Sequence, residues 1–457
     1  MAKRKATQPG ATTGASAQAS TTVEDLLLAA LERGDNSLQT GRYLVTFKEG
    51  AKEEGAKSLG TQGRGMRVAD ARDFEGQSVS MEAIGDADAV VFPEIGVALV
   101  GSAAAQERGM GVQAEEAADS PVESIDPEYF VFAANTQAEY MRSLAISGEG
   151  ATTGNDYLRG FLRAAETIAK DLQAAGMGQP TQLAIEESIA VLGATWGLNA
   201  CKVPPSVRSG LGIKVAVLDT GMDLGHPDFV GRLFTTAMFV GQPVQDLHSH
   251  GTHCIGTACG PNAPAGTTPR YGIGYRTRIF AGKVLSNSGF SVGGSVLAGM
   301  NWAIANRCEV ISMSLEGGGG PVPAYTAAGN AALNAGCLII AAAGNEASPT
   351  GQPANSPSIM SVASLDQNLA PSSFSNFGKI EIAGPGRDVF SSVPRPTRYG
   401  FKSGTSMATP HVAGCAALWA ETSANLRGLA LWRKLQATAK RLPLPASRVG
   451  AGLVQAP

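Results

Sequence analysis

The sequence predicts an α/β fold, with a doubly wound parallel sheet flanked by helices and preceded by a small α+β domain. After about residue 190, short and wholly apolar runs alternate with helical patterns, which is typical of strands buried on both faces of a parallel sheet. Before that point, a strand, a helix and further strands follow one another within roughly 90 residues. The length of 457 residues suits two or three domains.

Composition and charge exclude several classes of partner. The formal net charge is −3, whereas a nucleic-acid-binding or membrane-surface protein needs a basic face. The basic residues 1–5 are followed by a polar stretch and by no apolar segment, so residues 1–22 are predicted to form a disordered tail without a secretory signal. The cytoplasm is then the default location, with export by another route left open.

The first domain is predicted to span residues 23–135. A helix is expected over 21–33, with Thr21 and Glu24 as its capping box. Apolar β-runs and a helical pattern predict the remaining elements, which are strands at 42–48, 64–72, 88–100 and 128–133 and a helix at 51–59. Residues 136–194 are predicted to be a helical linker, with a strong amphipathic helix at 157–175.

The second domain is predicted to span residues 195–457, and it contains all five histidines. Its buried strands are expected at the apolar runs Ile213–Leu218, Ile279–Leu285, Val310–Leu315, Cys337–Ala343 and Ile359–Ala363. All six cysteines also lie after residue 200, without the paired spacing of a zinc site. Buried free thiols are the expectation for them.

Asp219 ends the first of these apolar runs, in the segment Ala216–Gly221. An aspartate at the carboxyl end of a strand stands where open α/β sheets place their active sites. A turn-capping role is the simpler alternative. The Asp-Thr-Gly sequence also occurs in aspartic proteases, but those need two such carboxylates and this chain has one.

A second segment, His248–Ala258, holds three closely spaced histidines. Small and apolar residues after His250 predict a helix packed into the core. A zinc cluster is disfavoured because Thr252 stands where the hydrolase motif has an aspartate. A structural role in the core suits His253 better than His250.

The third segment, Ser403–Gly414, places Ser406 at the start of an apolar helix. A hydroxyl there lies near unpaired N–H groups and the positive end of the helix dipole. A lone serine at this position is most often a cap. Together with Asp219 and His250, however, Ser406 completes a nucleophile, base and carboxylate set, in which histidine takes the hydroxyl proton and the aspartate orients the ring.

In their order and their neighbouring residues, these three segments resemble the motifs of the subtilisin-like serine proteases. The resemblance runs from about Trp196 to the C-terminus, and Cys254 after Gly-Thr-His is similar to the proteinase K and thermitase branches. It implies a serine endopeptidase of peptidase family S8 with the triad Asp219, His250 and Ser406, acting on protein or peptide substrates through an acyl-enzyme intermediate. A catalytically silent homologue that binds peptides is the alternative, and a maturation protease with a single substrate is a third.

The resemblance also implies substrate-contacting residues. Asn345, in Ala341–Glu346, would supply the side-chain donor of the oxyanion hole. Matching positions imply that the substrate backbone and first side chain are bound by Ser314, Leu315, Glu316, Gly317, Ala343, Gly344 and Gly351. The small Gly351 implies room for a large side chain, and a broad, mainly apolar preference is expected. Glu316 stands where the family usually has glycine, so it is also expected to favour basic substrate side chains.

Two further positions depart from the family. The loop at 260–275 does not reproduce the calcium-binding sequence, and Asp228 alone cannot supply the six or more oxygens that calcium needs. No cofactor is expected for catalysis, and structural calcium stays open. His248 replaces a more usual Asn or Gly and is expected either to tune the pH profile or to be exposed.

Residues 42–133 resemble, more weakly, the propeptide that inhibits subtilisins and assists their folding. The N-terminal region is therefore expected to be the inhibitor of its own active site, with an unrelated extra domain as the alternative. Self-cleavage would convert the zymogen, and the resemblance places the cut near 180–195.

Overall fold

The computed structural model describes residues 22–32, 38–61, 65–79, 87–107, 120–133, 193–266 and 268–457. The helix predicted at 157–175 and most of the segment expected to be cut lie outside these residues. None of the helices in the described ranges is long and apolar enough to cross a membrane.

The C-terminal domain, which we call the body, is built on a seven-stranded parallel sheet. Its strands, in spatial order, are β14 (Ile382–Pro385), β13 (Met360–Leu365), β12 (Leu338–Ala342), β10 (Val310–Met313), β6 (Lys214–Asp219), β8 (Arg278–Lys283) and β7 (Phe234–Met238). The apolar runs found in the sequence supply five of these strands, with ends that differ by at most two residues. The predicted doubly wound parallel sheet is therefore confirmed.

Helices cover both faces of this sheet, because its strands are apolar on both sides. The larger helices are α5 (His250–Cys259), α6 (Gly293–Ala305), α7 (Pro323–Asn334), α8 (Thr405–Thr422) and α9 (Gly428–Thr438), and the short ones are α4 (Trp196–Ala200) and α10 (Ala446–Val449). One core lies under α5 and α8 and a second under α6 and α7. Outside the main sheet lie β9 (Phe290–Val292), β11 (Leu315–Glu316) and the hairpin of β15 (Val389–Ser392) and β16 (Tyr399–Lys402).

The N-terminal domain is a smaller and mainly antiparallel structure. Its elements are α1 (Val23–Glu32), β1 (Gln39–Phe47), α2 (Lys52–Thr61), β2 (Val68–Asp70), β3 (Ala89–Phe92), β4 (Val97–Val100), α3 (Ser102–Glu107) and β5 (Val122–Ala133). The strand predicted at 88–100 is a hairpin, β3 and β4, that turns at Gly96 with φ of 69°. The strand predicted at 64–72 is reduced to β2.

The capping box of α1 differs by one residue from the prediction. The backbone N–H of Asp25 donates to Thr22 Oγ1 at 3.1 Å, and the backbone N–H of Thr22 donates to the Asp25 carboxylate at 3.0 Å. The cap is therefore made by Thr22 and Asp25 rather than by Thr21 and Glu24. Either threonine satisfies the sequence pattern, and Thr22 is the one that directly precedes the first helical residue.

The last strand of the N-terminal domain leaves its own sheet and enters the body. The first part of β5 pairs with β1, and its end lies between β9 and β11 of the body. Both pairings with the body are antiparallel, with Ala133 opposite Leu315 on one side and Phe130 opposite Val292 on the other. One mixed sheet thus joins the two domains.

A buried carboxylate reinforces this junction beside the helix α6. Glu128 accepts hydrogen bonds from Arg42 Nε at 2.6 Å, from Thr40 Oγ1 at 2.6 Å and from the backbone N–H of Gly294 at 2.7 Å. Gly294 lies in the first turn of α6, where N–H groups lack helical partners. The buried ion pair of the N-terminal domain is therefore also a cap for a helix of the body.

Candidate active site

Asp219 and His250 meet at the carboxyl edge of the parallel sheet. Asp219 is the last residue of β6, and His250 is the first residue of α5. The distance from His250 Nδ1 to Asp219 Oδ1 is 2.8 Å, and both side chains are buried. With the proton on Nδ1, the ring donates to the carboxylate, which leaves Nε2 as an acceptor.

Two glycines allow this close approach between the strand end and the helix. Gly221 has φ of 108°, and a Cβ there would lie 2.1 Å from the carbonyl oxygen of Val244. A Cβ at Gly251 would lie 2.3 Å from the carbonyl oxygen of Gly221. The glycines of the Asp-Thr-Gly and His-Gly-Thr segments are thus required by backbone contact.

Asp246 fixes the loop that carries His250. Its buried carboxylate accepts from the backbone N–H groups of His248, Ser249 and Thr252, each at 2.9 Å. These bonds hold Ser249 at φ of 79°, an uncommon left-handed conformation for a residue other than glycine. Burial opposes ionisation of Asp246, but hydrogen bonds from Thr252 and the adjacent backbone outweigh it and lower its pKa.

Ser406 lies in the first turn of α8 and faces the strand end at Ser314. Its side chain is buried, and its Oγ donates to the carbonyl oxygen of Ser314 at 3.1 Å. His250 Nε2 is buried and has no hydrogen-bond partner among the described residues. The hydroxyl therefore points away from the histidine here, as catalytic hydrogen bonds often do before substrate binds.

Asn345 is held in one orientation beside Ser406. Its Oδ1 accepts from the backbone N–H of Thr405 at 2.8 Å and from Thr405 Oγ1 at 3.1 Å. Because a backbone N–H can only donate, the amide orientation is fixed, and Nδ2 is left as a buried donor without a partner in the described part of the chain. Such a donor next to a nucleophile suits a developing oxyanion.

Cys254 and His248, which lie beside Asp219, His250 and Ser406, are both uncharged near pH 7. Burial, followed by the charge of Asp219, raises the pKa of Cys254, whose Sγ lies 3.9 Å from His250 Nδ1 and 3.5 Å from the carbonyl oxygen of Ser406. The thiol is therefore protonated and is not a competing nucleophile. Burial, together with the nearby His250, lowers the pKa of His248 to about 4, so His248 is neutral near pH 7 and is only partly exposed.

The three histidines do not form a metal cluster. His253 Nε2 is 2.9 Å from the carbonyl oxygen of Val389, which supports its predicted structural role. Asp219, His250 and Cys254 bring possible ligand atoms within 4.8 Å of one another, but two of the three are already committed to the Asp–His hydrogen bond. The six cysteines, all within the described residues, are buried and form no disulfide.

A groove beside Ser406 is occupied by the end of β5. Residues 130–133 run between β9 and β11, and all four are 0% exposed. Val131 and Ala133 pack into the body core, while Phe130 and Phe132 pack under α1. The edge at β11, which was predicted to bind a substrate backbone, thus pairs with a segment of the chain itself, and so does β9.

The groove continues into a pocket of about 280 Å³. Its floor is closed by two reciprocal backbone hydrogen bonds of 2.9 Å between Gly317 and Gln352, and Gly351 bonds to the carbonyl oxygen of Ala343 at 3.0 Å. Of the predicted substrate residues, Glu316, Gly317 and Gly351 line this pocket, and Leu315 pairs with β5 in the groove. The others are adjacent: Ser314 accepts from Ser406, Ala343 accepts from Gly351, and a Cβ at Gly344 would lie 2.4 Å from Glu316 Oε2. Glu346 also lines the pocket, although its role was not predicted.

Asp228 does not offer a calcium site. Its Oδ2 accepts from the hydroxyls of Tyr271 at 2.6 Å and Tyr399 at 3.0 Å, and its Oδ1 accepts from the backbone N–H of Ala265 at 3.2 Å. Calcium binds oxygen atoms that present lone pairs, not hydroxyl and N–H groups that donate to the same carboxylate. The residues around Asp228 therefore do not fit this ion.

Three contributors to the site were missed in the sequence. Asp246 has a visible signal, since Asp, Asn and Ser before a helix often bond to nearby backbone N–H groups. Thr405 is also a polar residue at the start of a helix, directly before Ser406. Glu346 adjoins Asn345, but only the fold turns its carboxylate back toward the pocket.

Comparison with known proteins agrees with this geometry. A profile of the subtilase family, peptidase S8, matches residues 210–452. Subtilisin BL of Lederbergia lenta is 38% identical over 270 residues, which are 57% of this chain and 96% of that protein. The alkaline protease of Alkalihalobacillus alcalophilus is also 38% identical over 57% of this chain and 68% of its own length.

A solved structure, described as a cold adapted subtilisin-like serine proteinase, is similar in fold. It has a TM-score of 0.50 and 31% sequence identity, and the match covers 57% of this chain and 97% of that one. The family profile covers more than half of this chain and includes all three segments that meet at the carboxyl edge of the sheet. The chain therefore belongs to the subtilase family, and it is a serine-type endopeptidase with the subtilisin-like α/β fold.

Proposed function

We propose that this chain is a self-processing zymogen whose triad is Asp219, His250 and Ser406 and whose N-terminal domain is its own inhibitor. The observation that carries the proposal is the end of β5, which lies between β9 and β11 where a substrate strand would pair. The inhibitor role of the N-terminal domain is supported by the backbone pairing of residues 130–133, because these residues fill the groove between β9 and β11 and leave no room for another peptide.

The proposed mechanism follows from the contacts around Ser406. The hydroxyl turns from the carbonyl oxygen of Ser314 to His250, and Oγ attacks the substrate carbonyl carbon while Nε2 takes its proton. Asp219 stabilises the imidazolium through the 2.8 Å hydrogen bond to Nδ1. Nδ2 of Asn345 and the backbone N–H of Ser406 donate to the oxyanion.

Collapse of this intermediate breaks the C–N bond. His250 returns the proton to the leaving amine, and the acyl group stays on Ser406 as an ester. Water, deprotonated by His250, then attacks the ester and frees the acid and the serine hydroxyl. The enzyme's own side chains supply every proton transfer, so we propose that catalysis needs no cofactor.

The pairing register indicates which bond the zymogen cuts. Ala133 is opposite Leu315 and Phe132 is opposite Glu316, while the residue before Leu315, Ser314, holds the Ser406 hydroxyl. One further step along the same register gives position 134. We therefore expect cleavage between Ala134 and Asn135, well before the segment 180–195 expected from the sequence.

The test is the intact mass of the purified protein. Wild type should appear as two pieces, one ending at residue 134, because Ser406 attacks the bond in its own groove. Ser406→Ala should stay whole, and Ser423→Ala, which changes a serine just beyond the far end of α8, should be cut like wild type. Equal processing of wild type and Ser406→Ala would reject the zymogen, and a Ser406-dependent cut elsewhere would reject the register.

A fluorophosphonate probe separates the active enzyme from a catalytically silent homologue. The processed wild type should be labelled at Ser406 because the probe reacts with a histidine-activated serine. Ser406→Ala should not be labelled. Absence of labelling in processed wild type would favour the peptide-binding alternative.

A further inference from the structure

We propose that, in separate substrate molecules, the pocket beside Ser406 selects a lysine or arginine as the residue whose carbonyl is attacked. The bond after Ala134 does not need this selection, because the chain itself holds it in the groove at a high effective concentration. The proposal rests on the catalytic role of Ser406 given above and adds the class of substrate. It develops the expectation from the sequence that Glu316 favours basic substrate side chains, and it narrows the broad, mainly apolar preference that was also expected. The residues responsible are Glu316 and Glu346.

The two carboxylates meet at a single backbone N–H group. Asn345 N donates to Glu316 Oε2 at 3.1 Å and to Glu346 Oε2 at 2.9 Å. Two carboxylate oxygens that share one donor are close neighbours, and like charges at short range repel. A cation placed between them removes this repulsion and gains charge-assisted hydrogen bonds.

Both carboxylates line the 280 Å³ pocket, so an entering side chain meets them. Glu316 is 2% exposed on the strand that pairs with β5, and Glu346 reaches the pocket from the opposite wall. Low exposure weakens the screening of Glu316 by water, and its interaction with an entering charge is correspondingly stronger.

Asn376 keeps Glu346 in this place. Its Nδ2 donates to Glu346 Oε2 at 3.1 Å, and its Oδ1 accepts from the backbone N–H groups of Glu346 at 3.0 Å and Ser348 at 2.9 Å. The loop that carries the carboxylate is therefore fixed before substrate binds. Preorganised groups lose less entropy on binding than mobile ones.

The strand seated in the groove is an independent indication that this pocket receives a side chain. Residues 132 and 133 pair with β11, and the chain runs from there toward Ser406. A substrate in the same register has its next residue opposite Ser314, at the end of the groove that opens into the pocket lined by Glu316. The pocket is closed behind by the hydrogen bonds between Gly317 and Gln352, so that side chain ends among the carboxylates.

The experiment compares four peptide p-nitroanilides that differ only in the residue before the cleaved bond, which is Lys, Arg, Leu or Phe. Processed wild type should show kcat/KM values about 10- to 100-fold higher for Lys and Arg than for Leu, the range of one to two charge-assisted hydrogen bonds. Glu316→Gln and Glu346→Gln should each reduce the Lys-to-Leu ratio about 10-fold, because the amide keeps the shape and loses the charge.

Glu309→Gln is the matched control. Glu309 precedes β10, at the opposite edge of the sheet, so its loss of charge should leave the ratio at the wild-type value. A wild-type ratio near or below one, or Gln variants with an unchanged ratio, would overturn the proposal. Wild type that cleaves none of the four peptides would instead count against the catalytic role of Ser406, on which this inference depends.

Discussion

The described residues form two seven-stranded sheets that differ in what they contribute. The parallel sheet of the body holds its chemistry in side chains at the carboxyl ends of its strands and at adjacent helix starts. The mixed sheet that joins the N-terminal domain to β9 and β11 holds its role in backbone pairing. Chemistry depends on individual side chains, whereas strand addition tolerates most of them.

Because the body acts through individual side chains, loss of the Asn345 amide should have a large effect on catalysis. Asn345→Ala should lower kcat with little change in KM, since the amide donates to the oxyanion and not to the bound substrate. In subtilisin itself, a relative of this chain, loss of one such donor costs roughly 100- to 1,000-fold in kcat. Steady-state kinetics of the processed enzyme measure the effect, with exposed Asn425→Ala as the control. A change confined to KM would contradict the oxyanion role.

Within the described part of the N-terminal domain, stability should be most sensitive to the buried ion pair of Arg42 and Glu128. Glu128→Ala leaves Arg42 without its partner and removes the cap of α6, and breaking a buried pair costs about 3–5 kcal/mol. Urea unfolding of Ser406→Ala, which we expect to stay whole, should show this loss of stability. Asp126→Ala, a carboxylate of the same strand bonded to Ser124, should change stability by less than about 1 kcal/mol. Equal losses in the two variants would show that this sheet depends on no particular side chain.

The smallest effect concerns pH, and it belongs to the body because all five histidines lie there. Burial lowers the pKa of His411 to about 4, below its usual 6.5, so the unfolded chain takes up a proton that the folded chain refuses between these values. The free energy of unfolding therefore falls as the pH decreases from 6.5 to 4.

His411→Gln should reduce that fall by about 2 kcal/mol between pH 7 and 4.5. Urea unfolding in the Ser406→Ala background measures it without self-digestion. A slope equal to that of the parent protein would exclude His411 as a source of the pH dependence.

The difference between side-chain chemistry in the body and backbone pairing in the mixed sheet also explains which features could be predicted from the sequence. Asp219, His250, Ser406 and Asn345 are embedded in segments whose neighbours are constrained by contact, as Gly221 and Gly251 are by backbone carbonyls. Such constraints leave recognisable patterns, and the parallel strands leave wholly apolar runs. The triad segments and the fold class were therefore predictable.

The N-terminal domain was harder to predict from the sequence, because backbone pairing between strands requires no particular residues. The end of β5 was predicted as a strand, but its position between β9 and β11 depends on contacts far apart in sequence. The meeting of Glu316 and Glu346 at Asn345 likewise requires the fold. Thr22 and Thr21 are equivalent in pattern, and only the geometry distinguishes them.

Residues 130–133 are enclosed from two sides, with alternate side chains held by the body core and by α1. Cutting the chain just beyond them would not release a short peptide that can diffuse away. The severed strand would stay attached to a folded domain, and it would leave the groove only when that whole domain dissociates together with α1. The delay between the proposed cut and the first turnover would then be set by the rate at which the severed domain dissociates or unfolds.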